Sequence, residues 1–252
     1  MRYFFKEGAA ALIAGELIEF DPEDLNHAYR VLRLRRGSTV VIADGRGSAI
    51  QGIVEAIGPE GGRVRLTGPP LPSRESPRRI VLLQGLARGE KMDQIVRQAV
   101  ELGVQQITPV ITGRSVPRFS RSREEGRLKR WRSLARAAAK QCRRAVLPEV
   151  TPVLEFAGAL ELLRGRTVVV PWEGEVERGL DRLLKRLPDE QEAVFIFIGP
   201  EGGFSEEEIA ALAAAGVCPI HLGPRILRTE TAAAVTAALV QAAWGDLGVS
   251  RR

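Results

Sequence analysis

Two glycine-rich segments at the ends of predicted strands contain the residues best suited to chemistry. The first, Phe197–Gly203, reads FIGPEGG, and the second, Leu222–Thr231, reads LGPRILRTET. Each follows a short apolar run, at Val194–Ile198 and Val217–Leu222, and each precedes a predicted helix. Because glycine has no Cβ, the main chain of such turns can approach a ligand closely. The pattern therefore predicts a small-molecule site lined largely by main chain.

Charged side chains accompany the second segment. Arg225 and Arg228 flank Ile226-Leu227. Two guanidinium groups beside a backbone-lined pocket could orient a phosphate or stabilise negative charge on a base, or they could form salt bridges with Glu201 or Glu230. Glu230 could itself accept a proton, or it could be a carboxylate favoured at a helix N-terminus. The sequence leaves these alternatives open.

Other common cofactor and metal patterns do not fit the chain. Neither glycine segment matches GxGxxG in a first strand–helix unit or the phosphate-binding pattern GxxxxGK[ST]. The two cysteines and two histidines are far apart in sequence, so no metal centre and no disulfide framework is predicted. Neither cysteine has a partner in a recognisable nucleophile pattern, which disfavours covalent catalysis.

The charge distribution points to a polyanionic partner. Lys and Arg number 37 against 31 Asp and Glu, for a formal net charge of +6. Between Arg114 and Arg144 there are twelve basic residues and only two acidic ones, and a second cluster covers Arg30–Arg36. A solvated helix face is the alternative, but the length and the one-sided charge of the central run favour a polyanion.

Residues 1–70 are predicted to form a small strand-rich domain that resembles a barrel, because short β-branched runs alternate with turn signals. A helix is predicted from Pro22 to Leu34, with proline at its first position. A proline-rich linker at residues 71–77 separates this domain from residues 78–252. The predicted strands are Thr39–Ala43, Ala49–Ile57 and Arg63–Thr67.

Residues 78–252 alternate between strands and helices, which predicts an α/β domain with a parallel sheet covered by helices. The predicted strands are Ile80–Gln84, Ile107–Ile111, Thr167–Val170, Val194–Ile198 and Val217–Leu222. The predicted helices are Met92–Val100, Glu124–Cys142, Leu180–Leu187, Ser205–Ala215 and Thr231–Trp244. Ser205 and Glu208 have the spacing of a capping box.

The chain has no apolar run long enough to cross a membrane, and its N-terminus lacks the architecture of a signal peptide. Two cysteines in unrelated contexts are typical of a reducing compartment. We therefore expect a cytoplasmic protein without a membrane partner.

The two glycine segments also resemble a known family. IGPEGG followed by LGPRILRTETA is similar to the signature of the RsmE-type ribosomal RNA methyltransferases, which belong to the SPOUT class. The resemblance covers nearly the whole chain. Further matching segments are RYFF at the start, His27–Arg33, Gly89–Val104, Pro109–Val116 and Arg130–Ala145.

The resemblance implies an architecture and an activity. The C-terminal domain would contain a deep trefoil knot, and a PUA-like β-barrel would precede it. The activity would be methylation of N3 of one uridine in 16S ribosomal RNA of the small ribosomal subunit, with S-adenosylmethionine as cofactor. The protein would be a homodimer paired through the region of Thr231–Trp244.

The resemblance also implies site residues. Arg228 or Arg225 would stabilise charge on the base, and Glu230 or a water would take the proton. Contacts with the cofactor would come from Pro171, Ile198, Gly199, Glu201, Gly203, Leu222, Gly223, Ile226, Leu227, Thr231 and Ala232. Contacts with RNA would come from Arg2, Arg30, Arg33, Arg114, Arg121, Arg123 and Arg127. Trp172, after the third strand of the site, departs from the smaller or acidic residues expected there.

Two other functions are compatible with the sequence. A SPOUT enzyme could act on transfer RNA or on a different base. A non-catalytic RNA-binding factor for ribosome assembly could keep the fold without the chemistry. The intact GPEGG and LRTETA segments argue against the second alternative.

Overall fold

The computed structural model describes residues 2–8, 11–115, 121–181 and 193–248. The chain divides into two compact units, one of Met1–Glu75 with Arg136–Leu147, and one of Ser76–Ala135 with Pro148–Arg252. The first division point lies within the proline-rich segment at 71–77. The segment Arg136–Leu147 packs with the first unit, although the sequence pattern places it in the second domain.

The first unit contains a five-stranded sheet in the order β1-β3-β4-β5-β2. Its pairings are antiparallel except for β1 with β3. Although β1 and β2 are the two edges of this sheet, the rings of Phe4 in β1 and Phe20 after β2 lie 5.0 Å apart in one core. The sheet therefore curls around that core, as a barrel-like domain requires. The strands are β1 (Arg2–Phe5), β2 (Leu17–Glu19), β3 (Thr39–Ala43), β4 (Ala49–Ile57) and β5 (Gly62–Pro70).

The helix predicted from Pro22 to Leu34 is shorter and less regular than expected. Helix α1 covers Pro22–Asn26 and continues as a π-helical turn over His27–Val31. Arg33 adopts φ +49°, in the left-handed region, which a right-handed helix cannot include. The prediction was therefore wrong about where this helix ends.

The second unit is built on a parallel sheet, as the alternating pattern predicts. The strand order is β10-β11-β6-β7-β8, with β9 also paired to β7, and every pairing is parallel. All six residues of the central strand β6 are buried, which explains its apolar run Ile80–Leu83. The strands are β6 (Ile80–Gly85), β7 (Gln106–Ile111), β8 (Glu149–Val150), β9 (Leu154–Glu155), β10 (Thr167–Val169) and β11 (Val194–Ile198).

Five helices accompany this sheet in the described part of the chain. They are α2 (Lys91–Glu101), α3 (Arg121–Cys142), α4 (Phe156–Leu163), α5 (Glu206–Ala214) and α6 (Thr229–Trp244). The sequence pattern did not predict α4 or the short strands β8 and β9. The helix predicted at Leu180–Leu187 lies outside the described residues beyond Asp181.

The predicted capping box at the start of α5 is confirmed. Ser205 Oγ accepts a hydrogen bond from the Glu208 main-chain N–H at 3.2 Å, and Glu208 Oε2 accepts one from the Ser205 N–H at 2.9 Å. The other carboxylate oxygen of Glu208 accepts from the Gly113 N–H at 2.8 Å. The cap therefore also attaches the loop after β7 to the start of α5.

The strand predicted at Val217–Leu222 is wrong as a regular strand. Ile220 and His221 instead form isolated parallel bridges with Pro171 and Gly179. The main chain of Ile220 pairs on one side with Val170 and Trp172, and His221 pairs on the other side with Arg178, at N···O distances of 2.8–2.9 Å. The chain at Ile220 and His221 thus runs between two stretches of the segment that follows β10. The knot itself stays a prediction.

No helix among the described residues has both the length and the apolar character needed to span a membrane.

Candidate active site

A cavity of about 350 Å³ opens beside the carboxyl ends of β10 and β11. Three segments form most of its wall: Pro171–Glu175 after β10, Ile198–Phe204 at the end of β11, and His221–Thr229 before and at the start of α6. Lys91 and Ala232 complete the lining. Ligands of open α/β sheets bind at such strand ends, so the sheet topology itself favours this position.

The structure brings nearly all the predicted cofactor contacts together in this cavity. Thr231 is the exception, since it is exposed on helix α6 and does not line the cavity. The lining includes Pro171, Ile198, Gly199, Glu201, Gly203, Leu222, Gly223, Ile226, Leu227 and Ala232. Their contact with a cofactor remains a prediction, but their spatial convergence is a property of the fold.

The first glycine segment needs glycine for steric reasons. A Cβ on Gly199 would lie 3.1 Å from the carbonyl carbon of Gly203, tighter than ordinary packing. Gly203 has φ +67°, and a Cβ there would overlap the carboxylate of Glu173. Gly85 at the end of β6 is equally constrained, because a Cβ would lie 2.6 Å from the main-chain nitrogen of Pro200. The turn is therefore folded tightly on itself and against β6.

Glu201 attaches the glycine turn to the beginning of α2. Its Oε1 lies 3.0 Å from Lys91 Nζ and accepts a hydrogen bond from the Arg88 N–H at 3.0 Å. Partial burial raises the pKa of Glu201. The hydrogen bonds from Lys91 and from main-chain N–H groups lower the pKa by more than burial raises it, so the pKa of Glu201 lies below its ordinary value. Glu201 is thus paired with Lys91, not with Arg225 or Arg228.

The second glycine segment contributes exposed side chains. Arg225, Ile226 and Arg228 are exposed, with Ile226 at 85%. Gly223 has φ +106°, and its N–H donates to His221 Nδ1 at 3.1 Å. His221 is half-buried, lines the cavity and supports the Gly223 turn.

The predicted catalytic residues separate into two groups. Arg225 and Arg228 line the cavity, and Arg228 is also the N-cap residue of α6. Glu230 does not line it; this residue is only 9% exposed, and its Oε2 has no hydrogen-bond partner. Its position in the first turn of α6 favours the role of a carboxylate at a helix N-terminus.

Other residues also contribute to the site. Trp172, which departs from the residue types that the resemblance implies, packs against the core of the second unit and lines the cavity. Lys91, Glu173 and Glu175 also line the cavity, and these three residues gave no signal in the sequence. They come from elements distant in sequence or from a loop without a recognisable pattern.

The central basic run is partly neutralised inside the protein. Arg130 forms an ion pair with Asp93, and Arg136 and Lys140 both pair with Asp24. Arg144, which is 4% exposed, pairs with Glu75. Each of these ion pairs lies within one unit: the Arg130 pair in the second unit and the other pairs in the first. The basic side chains that could bind a polyanion are therefore mainly those in the first half of the run.

Other predicted RNA contacts have mixed surroundings. Arg114 is exposed, and one guanidinium nitrogen donates to the Gly202 carbonyl at 2.9 Å. Arg123 is exposed and Arg127 is half-buried, while the side chain of Arg121 lies outside the described residues.

In the first unit, Arg2, Arg30 and Arg33 are all exposed. Arg2 donates to the Leu32 carbonyl at 2.8 Å. Arg30 lines a groove between α1 and the turn at Gly58–Gly62.

Among the described residues, no cluster of three or more His, Cys, Asp or Glu side chains could hold a metal ion. The lining of the cavity instead combines main-chain atoms of the two glycine segments with apolar and charged side chains. Such a lining fits S-adenosylmethionine, the cofactor that the family resemblance implies, which combines a planar adenine with polar edges, a sulfonium cation and a zwitterionic tail.

Comparison with family models matches both parts of the chain. A model described as an RNA methyltransferase domain matches residues 74–241. A model described as an RNA methyltransferase PUA domain matches residues 20–67. The curved sheet of the first unit is thus PUA-like.

The chain is also similar to individual proteins. A ribosomal RNA small subunit methyltransferase E from Mycobacterium bovis is 34% identical over 227 residues, which is 88% of this chain and 84% of the relative. The protein of the same name from Bacillus subtilis is 26% identical and covers 92% of each chain.

Solved structures give the same result. The methyltransferase E from Neisseria gonorrhoeae, bound to S-adenosylmethionine, superposes with a TM-score of 0.87 at 29% identity, covering 98% of this chain and 99% of that one. A methyltransferase from Legionella pneumophila with the same bound cofactor gives 0.86 at 30% identity, covering 98% and 100%.

Replacement of Gly223 by valine should weaken the binding of S-adenosylmethionine at least tenfold, or about 1.4 kcal/mol, because a branched side chain would enter the cavity wall. Calorimetric titration measures this. Gly216→Val is the matched control, since Gly216 also has positive φ (83°) and free space around it but does not line the cavity. Both variants should lose roughly 1–3 kcal/mol of stability from backbone strain. If the two folded variants bound S-adenosylmethionine with equal affinity, the assignment of Gly223 to the cofactor site would be wrong.

Proposed function

The chain belongs to the family of ribosomal RNA small subunit methyltransferases E, and on that premise we propose that it methylates N3 of one uridine in 16S ribosomal RNA. The methyl donor is S-adenosylmethionine. The observation that supports this most strongly is the composition of the cavity. Both glycine segments that resemble the family signature line it, together with the exposed Arg225 and Arg228.

The residues that would hold the cofactor are those whose main chain and apolar side chains line the cavity. The glycines at positions 199, 203 and 223 allow close main-chain approach, while Ile198, Leu222 and Leu227 offer apolar surface. When bound there, S-adenosylmethionine supplies an electrophilic methyl group on a sulfonium.

The chain must make N3 of uracil nucleophilic. N3 carries a proton, and its removal leaves negative charge shared between O2 and O4 of the base. Hydrogen bonds from arginine to those oxygens stabilise this charge in the way that an oxyanion hole does. The remaining requirement is alignment of N3 with the methyl group, which is a matter of positioning.

Arg228 is the better candidate for the charge-stabilising role. Its neighbour Leu227 is half-buried, its neighbour Thr229 is buried, and Arg228 itself is the N-cap residue of α6, so its main chain is well fixed. Arg225 lies between the exposed residues Pro224 and Ile226, so its main chain is less constrained. Since Glu230 is buried outside the lining, a water is the better proton acceptor.

RNA binding would involve both units. Arg121, Arg123 and Arg127 lie in the first two turns of α3, and Arg2, Arg30 and Arg33 lie in the PUA-like unit. Two separate basic regions suit a broad, shaped substrate, so we propose the assembled or partly assembled small subunit. Its assembly takes place in the cytoplasm, and two cysteines in unrelated sequence contexts are typical of a reducing compartment.

Helix α6 supports a homodimer. Its only charged residue, Glu230, is buried, and its outer face carries Thr231, Val235, Ala238, Leu239 and Ala242 with no charge. An uncharged outer face over a whole helix is unusual for a free surface and typical of an interface core. We propose that a second copy covers this face.

The activity is tested by mapping modified nucleosides in 16S ribosomal RNA by mass spectrometry, in the source organism with and without the gene. One 3-methyluridine should disappear, and the purified protein with S-adenosylmethionine should restore it on small subunits. Loss of a transfer RNA modification, or of a different base modification, would identify the related alternative. An unchanged set of nucleosides would support a non-catalytic assembly factor.

Arg228→Ala should lower the rate of methyl transfer by roughly 10²–10³, as when one charge-stabilising donor is lost, while RNA affinity stays nearly unchanged. Single-turnover kinetics with saturating subunits separates the two quantities. Arg164→Ala is the control, because Arg164 is an exposed arginine of the same unit, outside the cavity. A rate within threefold of wild type for Arg228→Ala would assign the role elsewhere.

Combined replacement of Arg121, Arg123 and Arg127 by alanine should weaken RNA binding and flatten its salt dependence. Each lost phosphate contact removes about one unit from the slope of log affinity against log salt concentration. Filter binding over a series of salt concentrations measures the slope, and cofactor affinity should not change. The control carries alanine at the exposed Arg97, Arg164 and Arg166 and loses the same charge. Identical slopes in both triple variants would exclude a specific RNA surface on α3.

Light scattering at working concentration should give twice the mass of one chain. Leu239→Glu places a charge on the outer face of α6, where Leu239 is 36% exposed, and should produce monomers because a charge at an interface core is costly. Leu162→Glu, on an exposed leucine of α4, is the control and should leave the dimer intact. A wild-type monomer would contradict the proposal.

A further inference from the structure

A buried hydrogen-bond network lies directly behind the first glycine segment. The hydroxyl of Thr229 donates to the Gly199 carbonyl at 2.6 Å. The side-chain amide of Gln84 donates to Thr229 Oγ1 at 2.9 Å and to the Gly85 carbonyl at 3.0 Å, and it lies 3.4 Å from the Gly199 carbonyl. Gln84 is completely buried and Thr229 is 5% exposed.

This network joins three parts of the chain that are far apart in sequence. Gln84 is near the end of β6, Gly199 opens the turn after β11, and Thr229 begins α6. Gly199 and Thr229 both line the cavity, whereas Gln84 does not. The network therefore joins the two glycine segments directly through the Thr229–Gly199 hydrogen bond. The buried Gln84 amide supports this hydrogen bond from the side away from the cavity.

The hydrogen bonds determine the orientation of the Gly199 peptide. A buried carbonyl needs a donor, and Thr229 is the donor at short range. The same peptide is closely packed on β6, where Gly85 leaves no space for a Cβ against Pro200. With its carbonyl bonded into the interior, the turn keeps one conformation and presents its remaining groups to the cavity.

We propose that Thr229 and Gln84 are positioning residues that set the affinity of this site for S-adenosylmethionine by locking the Gly199 peptide to the start of α6. This rests on the proposed function and adds the residues that shape its cofactor site. Gln84 acts entirely through Thr229 and Gly199. The Thr229 hydroxyl is occupied by the network, so it acts on the cofactor through the conformation of the turn.

The test compares variants of two buried threonines in the same helix. Thr229→Val removes the hydroxyl at nearly constant volume, and Thr229→Ser keeps it. The matched control is Thr236→Val, because the hydroxyl of the buried Thr236 donates within the helix, to the Ala232 carbonyl at 2.7 Å. Gln84→Met removes the amide donor from the other end of the network.

Calorimetric titration with S-adenosylmethionine gives the affinity, and steady-state methylation of small subunits gives KM and kcat. Thr229→Val and Gln84→Met should each raise Kd and KM for the cofactor about tenfold, with kcat at saturation changed much less. Thr229→Ser should restore both constants to within about threefold of wild type, and Thr236→Val should match wild type. A purely structural role would reduce the active fraction and hence kcat, leaving KM unchanged.

Wild-type Kd and KM in folded Thr229→Val would overturn the proposal, as would equal losses in Thr229→Val and Thr236→Val. If Thr229→Val does not fold, Gln84→Met and Thr229→Ser decide: unchanged Kd in Gln84→Met, or no rescue by serine, overturns it. Absence of cofactor binding by the wild-type protein is a different result, since it would refute the proposed function itself.

Discussion

The cavity depends on main chain packed against main chain at the end of strand β6. Gly85 lies so close to Pro200 that a Cβ would come within 2.6 Å of the Pro200 nitrogen, and Gly199 lies similarly close to Gly203. This contact is available only because glycine has no side chain. Once the turn after β11 is placed there, Glu201 can reach Lys91, Thr229 can reach the Gly199 carbonyl, and α6 begins at a defined point. The two glycine segments are thus packed together through these contacts.

Charge is divided between structure and function. Asp93, Asp24 and Glu75 take up several cations of the long basic run, so these arginines and lysines hold helix α3 and the segment after it in place. Around the cavity, Lys91 is used by Glu201, while Arg225 and Arg228 are exposed beside the site. Cations that are used internally and cations that face solvent therefore occur close together, both around the cavity and along α3. A count of charge along the sequence could not separate them.

The local patterns predicted most of what positions the site. Glycine-rich turns after apolar runs located both cavity segments, alternating periodicity predicted the parallel sheet, and Ser205 with Glu208 predicted the cap of α5. The pattern failed where distant contacts decide. Val217–Leu222 reads as a strand, yet only Ile220 and His221 pair. Their partners, Pro171 and Gly179, lie in a loop that is distant in sequence. Gln84 gave no signal in the sequence, since Gly199 and Thr229, which its amide contacts, lie more than a hundred residues away. The α-helical pattern at Pro22–Leu34 also gave no warning of the left-handed Arg33.

A structure of the protein with bound S-adenosylmethionine tests the central claim most directly. The cofactor should lie between the Gly199–Gly203 turn and the Leu222–Arg228 segment, with hydrogen bonds mainly to main-chain atoms and with its methyl group on the side of Arg228. The Gly199 carbonyl should remain bonded to Thr229 and not turn toward the ligand. A cofactor bound elsewhere, or a Gly199 peptide that rotates to contact it, would contradict the assignment of this packed turn as the preformed wall of the active site.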